Sequence, residues 1–206
     1  MSHVTPATSY HHGDLPNALR RAAVDVIDER GLGSFSLREV ARRAGVSHTA
    51  PAHHFGDVRG LLTSVATEGF DALFESTRQA AADFDDPVER LTAIGEAYVT
   101  LARSNHAHCE VMFRMDVVDP DDADLQTAGM RAYAVLEDTV RSLIDREDLT
   151  VDLDSATWFC WSTMQGLVTL GPELDVIARR RDVPQRSSAE LVRQFSSMIV
   201  AGLRHS

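Results

Sequence analysis

An all-α fold is predicted by three observations. Apolar residues recur at helical spacing over most of the chain, no stretch alternates convincingly with a period of two, and the breaks between periodic segments carry caps, glycines and prolines where helices start and stop. The segmentation gives a small N-terminal head of three helices on a larger helical body, about nine helices in all.

Residues 1–13 are polar, with little periodicity, and read as a flexible arm. Asp14 is placed to cap a helix from Leu15, with Pro16 tolerated in its first turn. Leu19, Ala22, Ala23, Val26 and Ile27 form its inner stripe, and Gly31 ends it. The stretch from Ser36 to Phe55 follows and reads as two short helices joined by a tight turn. Ser36 caps the first, with Glu39 three residues on completing a capping box. Leu37, Val40 and Ala41 give it one apolar face. Gly45 supplies the left-handed residue that stops it, Val46 fills the space under the turn, and Ser47 caps a second helix beginning at His48. Two helices crossing steeply through such a turn make a helix-turn-helix, whose second helix can enter the DNA major groove.

Phe55-Gly56-Asp57 breaks the pattern and opens a long helix to about Asp83, with the stripe Leu61, Leu62, Val65, Phe70 and Leu73. Pro87 suits the first position of the next helix, which carries Leu91, Ile94, Ala97, Tyr98 and Leu101 and ends near Asn105. A short apolar segment, Val111 to Met115, precedes a break at Asp119-Pro120-Asp121-Asp122. Three more helices are predicted, Ala123 to Asp145, Leu153 to Leu170 and Ser187 to Arg204. Residues 171–186 read as a loop whose triplet Arg179-Arg180-Arg181 is a solvated stretch. The expected division is arm 1–13, head 14–60 and body 61–206.

A chain of 206 residues buries roughly 70% of its unfolded surface and needs no covalent staples. Its net charge of −11 is unusual for a DNA-binding protein. The acidity lies outside the head: residues 1–56 carry six arginines and five acids, whereas residues 57–206 carry fourteen arginines and twenty-six acids. A balance of +1 is still slight for a phosphate-binding surface. Two cysteines, Cys109 and Cys160, make no disulfide framework and point to the reducing cytoplasm. Neither an apolar targeting core nor a bilayer-length apolar run occurs, so no membrane partner is expected.

The head resembles the tetracycline-repressor (TetR) family of bacterial transcription regulators. The resemblance is carried by Tyr10-His11-His12-Gly13-Asp14-Leu15, Ser36 to Ala44, Gly45-Val46-Ser47, Ala50-Pro51 and His54-Phe55. In the body, Val111-Met112-Phe113 resembles a mid-body motif of one branch. Trp161 with Gly166-Leu167 resembles that branch's Trp-His-Gly signature, with Gln165 where His is usual. The resemblance implies a homodimer that binds a palindromic operator in double-stranded DNA, most commonly as a repressor. It also implies a small-molecule effector in the body that lowers DNA affinity, and no cofactor.

Within the head, His48 and Thr49 are expected at base edges, with His53 about one turn later. Ser36, Ser47 and the free N–H groups of both helix starts suit phosphates, and Arg38, Arg42 and Arg43 add charge. His54 joins this set, although it and Phe55 also suit packing against the next helix. Two departures matter. The family usually has Tyr at Ala52 and Lys at Val58, and both changes remove backbone contacts. The arm before Leu15 has no Arg or Lys for the minor groove. DNA binding is therefore expected to be weaker than in typical relatives, or to rely on protonated histidine, which titrates near neutrality.

Met112, Phe113, Met115, Trp158, Trp161 and Met164, with Gln165 as a neutral hydrogen-bonding group, suit a pocket for a mostly apolar effector. Leu167, Leu170, Leu191, Phe195, Met198, Ile199 and Leu203, interleaved with small residues, suit a four-helix dimer interface. Such a dimer sets its two heads about 34–36 Å, or a multiple, apart. His106, His108, Cys109 and Glu110 are possible metal ligands, but their spacing does not put all of them on one helical face, and no metal is assigned. No nucleophile elbow or phosphate-cradling glycine loop occurs, which argues against an enzyme. A metal-responsive regulator and a helical sensor or interaction protein with weakened or lost DNA binding stay open as alternatives.

Overall fold

The computed structural model describes residues 15–205, so the arm and the Asp14 cap lie outside the described residues. Within them all regular structure is helical. The order is α1 (Leu15–Arg30), a 3-10 turn (Leu32–Ser34), α2 (Leu37–Arg43), α3 (Ala50–Phe55), α4 (Val58–Ala82), α5 (Pro87–Ser104), α6 (His106–Met112), α7 (Ala123–Glu147), α8 (Leu153–Arg180) and α9 (Ser188–Leu203). A small N-terminal helical unit sits against a larger body. α4 belongs to both, because it packs on α1 and α3 as well as on α5, α6 and α7. One continuous apolar core runs through the molecule, with Leu19, Ile27, Leu61, Met112, Leu143 and Ile199 fully buried.

Most helix ends follow local chemistry. Asp57, Asp86, Asp122 and Asp152 each accept a backbone N–H from the first turn of the helix they precede. Ser187 and Glu190 form a full capping box at α9. Three expectations from sequence need correction. First, α3 begins at Ala50 rather than His48: Ser47 does not cap it, its hydroxyl lying 3.1 Å from that of Thr49, and His48 and Thr49 belong to the turn. Second, α6 is a helix where only an apolar segment was expected. Its N-terminal cap comes from α1, where the Asp28 carboxylate accepts the Ala107 N–H at 3.0 Å, 79 residues away in sequence. No local pattern announces such a helix start.

Third, α8 continues through Gly171-Pro172 to Arg180, in place of the expected loop. Proline in a helix interior removes one hydrogen bond and costs about 3 kcal/mol. The apolar spacing nevertheless persists on both sides of it, with Gly171 buried inside and Leu174 and Ile177 outside. Arg179 and Arg180 occupy the last turn, where cations complement the helix dipole.

Candidate DNA-binding surface and ligand cavity

The helix-turn-helix is built by three backbone devices. Ser36 Oγ accepts the Glu39 N–H at 3.4 Å and starts α2. At the other end Gly45 takes φ +69°, Gly45 N–H donates to Arg42 and Val46 N–H to Ala41, which closes α2 in a Schellman turn. At the far end of α3, Gly56 takes φ +77° and Asp57 caps α4 through the Gly60 N–H at 2.9 Å. Gly60 escaped the reading from sequence, yet a Cβ there would lie 2.0 Å from the Phe55 carbonyl oxygen. The corner between α3 and α4 therefore closes only over glycine.

This frame leaves Ser47, His48, Thr49, Ala52, His53 and His54 exposed, while Pro51 is buried against the head. The His53 and His54 rings meet edge-on at 5.6 Å, and His54 lies tilted to Phe55 at 6.5 Å. The expected cations divide. Arg38 is exposed and has no ion-pair partner among the described residues. Arg42 instead grips Glu39 through two bonds of 2.8 Å. Arg43 is largely covered and spans Glu39 at 3.1 Å and Glu29 at 2.5 Å. Glu39 thus does not return to the Ser36 backbone to complete a capping box; Arg42, Arg43 and Arg30 hold it. Hydrogen bonds from Arg42 and Arg43 bring its carboxyl down to about 2. The Glu29 and Glu39 bonds raise Arg43.

An apolar cavity lies in the body among α4, α5, α7, α8 and α9. Phe113, Trp161 and Met164 line it, as expected from sequence. The other expected pocket residues do not. Met112 is buried beneath α4, where Gly69 makes room for it: a Cβ at Gly69 would lie 2.6 Å from the Met112 sulfur. Met115, 53% exposed, and Trp158, 59% exposed, face outward. Gln165 stands behind the wall and accepts the Tyr98 hydroxyl. The wall residues missed from sequence include Phe70, Tyr98, Tyr133, Leu136 and Cys160. Each has helical apolar spacing, a signal that marks a buried face without saying whether it meets another helix or a void. Phe70, Phe113, Trp161 and Tyr133 form a chain of ring contacts with centroids 5.6, 5.7 and 6.2 Å apart. Burial pushes the Cys160 thiol up to about 12 and also raises the Tyr98 hydroxyl, so both stay uncharged.

Contacts link this region to the head. Glu110 of α6 accepts the Leu32 N–H at 3.3 Å, opposite in sense to the Asp28 cap. Arg59 in the first turn of α4 donates to the carbonyls of Val118 and Asp116 at 2.9 and 3.2 Å. His106 and His108 each lie 4.0 Å from a carboxylate, of Asp28 and Glu68 respectively. Among the described residues no three of His, Cys, Asp and Glu come together as a metal site.

The expected dimer residues also divide. Leu167, Ile199 and Leu203 are buried within the protomer, and Ile199 lines the cavity. Leu191 and Phe195 are half-buried, while Leu170 and Met198 are exposed. Exposed beside them are Phe159, Leu174 and Ile177 of α8. The cause is that α8 is apolar on two faces: Cys160, Met164, Leu167 and Gly171 turn inward, and Phe159, Leu170, Leu174 and Ile177 outward. No helix among the described residues is long and apolar enough to cross a membrane.

Residues 19–65 match the family model for bacterial regulatory proteins of the tetR family, and residues 91–195 match that for the tetracyclin repressor-like C-terminal domain. The HTH-type transcriptional regulator BetI of Stenotrophomonas maltophilia is 38% identical over 77 residues, 37% of this chain and 39% of the relative. BetI of Yersinia pestis is 34% identical over 91 residues, 43% of this chain and 46% of the relative. The chain thus spans less than half the length of these curated relatives. Among solved structures, a protein of unknown function from Rhodococcus sp. RHA1 superposes with a TM-score of 0.80 at 27% identity, covering 96% of this chain and 100% of that one. FadR from Bacillus subtilis in complex with stearoyl-CoA shares the fold at a TM-score of 0.68 and 16% identity, covering 90% of this chain and 98% of that one.

Proposed function

The chain belongs to the tetracycline-repressor family of DNA-binding transcription regulators, and from that premise we propose that it is a cytoplasmic, homodimeric repressor of a palindromic operator, released by a small and mostly apolar effector. The observation that carries the reading is the pairing of an exposed helix-turn-helix edge, His48 to His54, with an apolar cavity in the body. Head 14–60 then binds DNA and body 61–206 senses and dimerises. The outer face of α8, with Met198 of α9, supplies the apolar surface that two protomers bury together. In this reading base edges fall to His48, Thr49 and His53, and phosphates to Ser36, Ser47 and Arg38.

DNA binding is weak in this proposal, which Ala52, Val58 and the captured Arg42 support. Selection of bound DNA from a random pool, repeated with hydrophobic candidate ligands, tests the whole. A palindromic consensus whose retention falls with ligand is expected. A sample that stays monomeric and ignores every oligonucleotide at low salt sinks the repressor and leaves the second reading, a helical sensor that has lost DNA binding. The same departures at Ala52 and Val58 favour that second reading.

A further inference from the structure

Glycine inside a helix weakens it relative to alanine, so a helical glycine calls for a reason. Packing gives the reason at three positions. A Cβ at Gly60 would strike the Phe55 carbonyl oxygen at 2.0 Å, one at Gly69 the Met112 sulfur at 2.6 Å, and one at Gly95 the Val192 Cγ1 at 3.0 Å. Gly129 is different. It lies inside the unbroken helix α7 and keeps a negative φ, and a Cβ built on it meets no atom within 4 Å. Neither a turn nor a close neighbour requires glycine there. The space in front of it is the apolar cavity, which Gly129 lines together with Ala132, Tyr133 and Leu136 of the same helix. The spacing i, i+3, i+4, i+7 puts these four on one face. Ala128 and Ala132 beside it are buried and Gly129 is half-buried, so this stretch of α7 faces inward. The chain of ring contacts that runs from Phe70 through Phe113 and Trp161 ends on Tyr133, one turn along that face. At Gly129 the wall is bare backbone.

We propose that Gly129 is the specificity-determining residue of the cavity: its missing side chain leaves the space in which a bound apolar molecule lies against the α7 backbone, and so sets the largest ligand the cavity admits. The inference rests on the effector reading only for the choice of cavity. It deepens that reading by naming the wall position that limits ligand size. A methyl group at this position has two effects of opposite sense. It strengthens the empty protein, because alanine favours the helix and the new atoms line a void. It weakens binding, because it occupies room that the ligand uses. A glycine kept for packing would give the reverse of the first effect, and a glycine with no role would give the first alone.

Three neutral probes of graded size test it: benzene, ethylbenzene and n-butylbenzene. Each is titrated by calorimetry into the full chain and its variants, with thermal melts in parallel. Gly129→Ala is expected to weaken n-butylbenzene about four-fold or more, the worth of one buried methylene, and benzene less than about two-fold. The same variant is expected to melt about 2–4 °C higher than the parent. Gly129→Leu fills the space and is expected to weaken all three probes about ten-fold or more. A lower melting midpoint in Gly129→Ala makes the glycine structural and overturns the proposal. So does n-butylbenzene binding that Gly129→Ala leaves unchanged, a loss equal for all three probes in that variant, or binding of none of them by the parent. Where Gly129→Leu does not fold, Gly129→Ala decides alone. The same probes added to a protein–DNA complex separate the two readings. Release from the parent and from folded Gly129→Leu alike overturns the proposal and leaves an effector site elsewhere. Binding that depends on residue 129 without release of DNA upholds the proposal and removes the effector role.

Discussion

Glu39 decides how much of the head's positive charge can reach DNA. It holds Arg42 by two bonds and shares Arg43 with Glu29. Glu39→Gln is expected to free Arg42 for phosphate, tightening DNA binding and steepening the salt dependence by about one unit of slope, read by fluorescence anisotropy across a salt series. The same substitution changes acid stability. The Glu39 carboxyl lies at about 2 against an ordinary 4.5, so its stabilisation is present above 4.5 and lost as pH falls toward 2. Circular dichroism through that window is expected to show a smaller pH-dependent loss in Glu39→Gln than in the parent. At this scale the sequence was partly legible. Ser36 and Gly45 act as their types and positions indicate, because their partners are three to five residues away. The role of Glu39 was not legible, because the choice between the Ser36 backbone and three arginines depends on where Arg30 and Arg43 fold.

Helices are the scale at which the sequence speaks most clearly. Periodicity and the breaks between segments place α4, α5, α7 and α9 within a residue or two, because each N-cap, aspartate for the first three and Ser187 for α9, is local. α6 carries no local cap, because Asp28 of another helix supplies it, and α8 runs through Pro172 to Arg180 where the sequence predicts a loop from residue 171. Two substitutions test these elements. Gly60→Ala puts a methyl into the Phe55 carbonyl and is expected to prise α3 from α4. DNA binding should fall by an order of magnitude or more, with a lower melting temperature at a cost of about 1–3 kcal/mol. Pro172→Ala restores the missing N–H within α8 and is expected to raise the melting temperature, by up to about 3 kcal/mol in stability.

At the scale of the molecule the fold class and the order of helices could be read in advance, whereas the use of each apolar face could not. α8 shows why. Its sequence carries two apolar stripes, and only the folded protomer reveals that Leu167 faces in and Leu170 out. The cavity was half legible for the same reason: apolar spacing marks Phe113, Trp161 and Met164 as covered, not as the wall of a void. Replacing an outward residue, as in Leu170→Asp or Ile177→Asp, is expected to give a folded monomer by sedimentation that has lost operator binding.

The outward stripe of α8 has a further bearing on what a measurement of stability means for this protein. When two copies must meet to cover Phe159, Leu170, Leu174 and Ile177, mass action ties unfolding to the number of molecules in the tube. The midpoint of a melt should then climb with each ten-fold rise in protein concentration, and a single value quoted without its dilution would describe the sample rather than the chain.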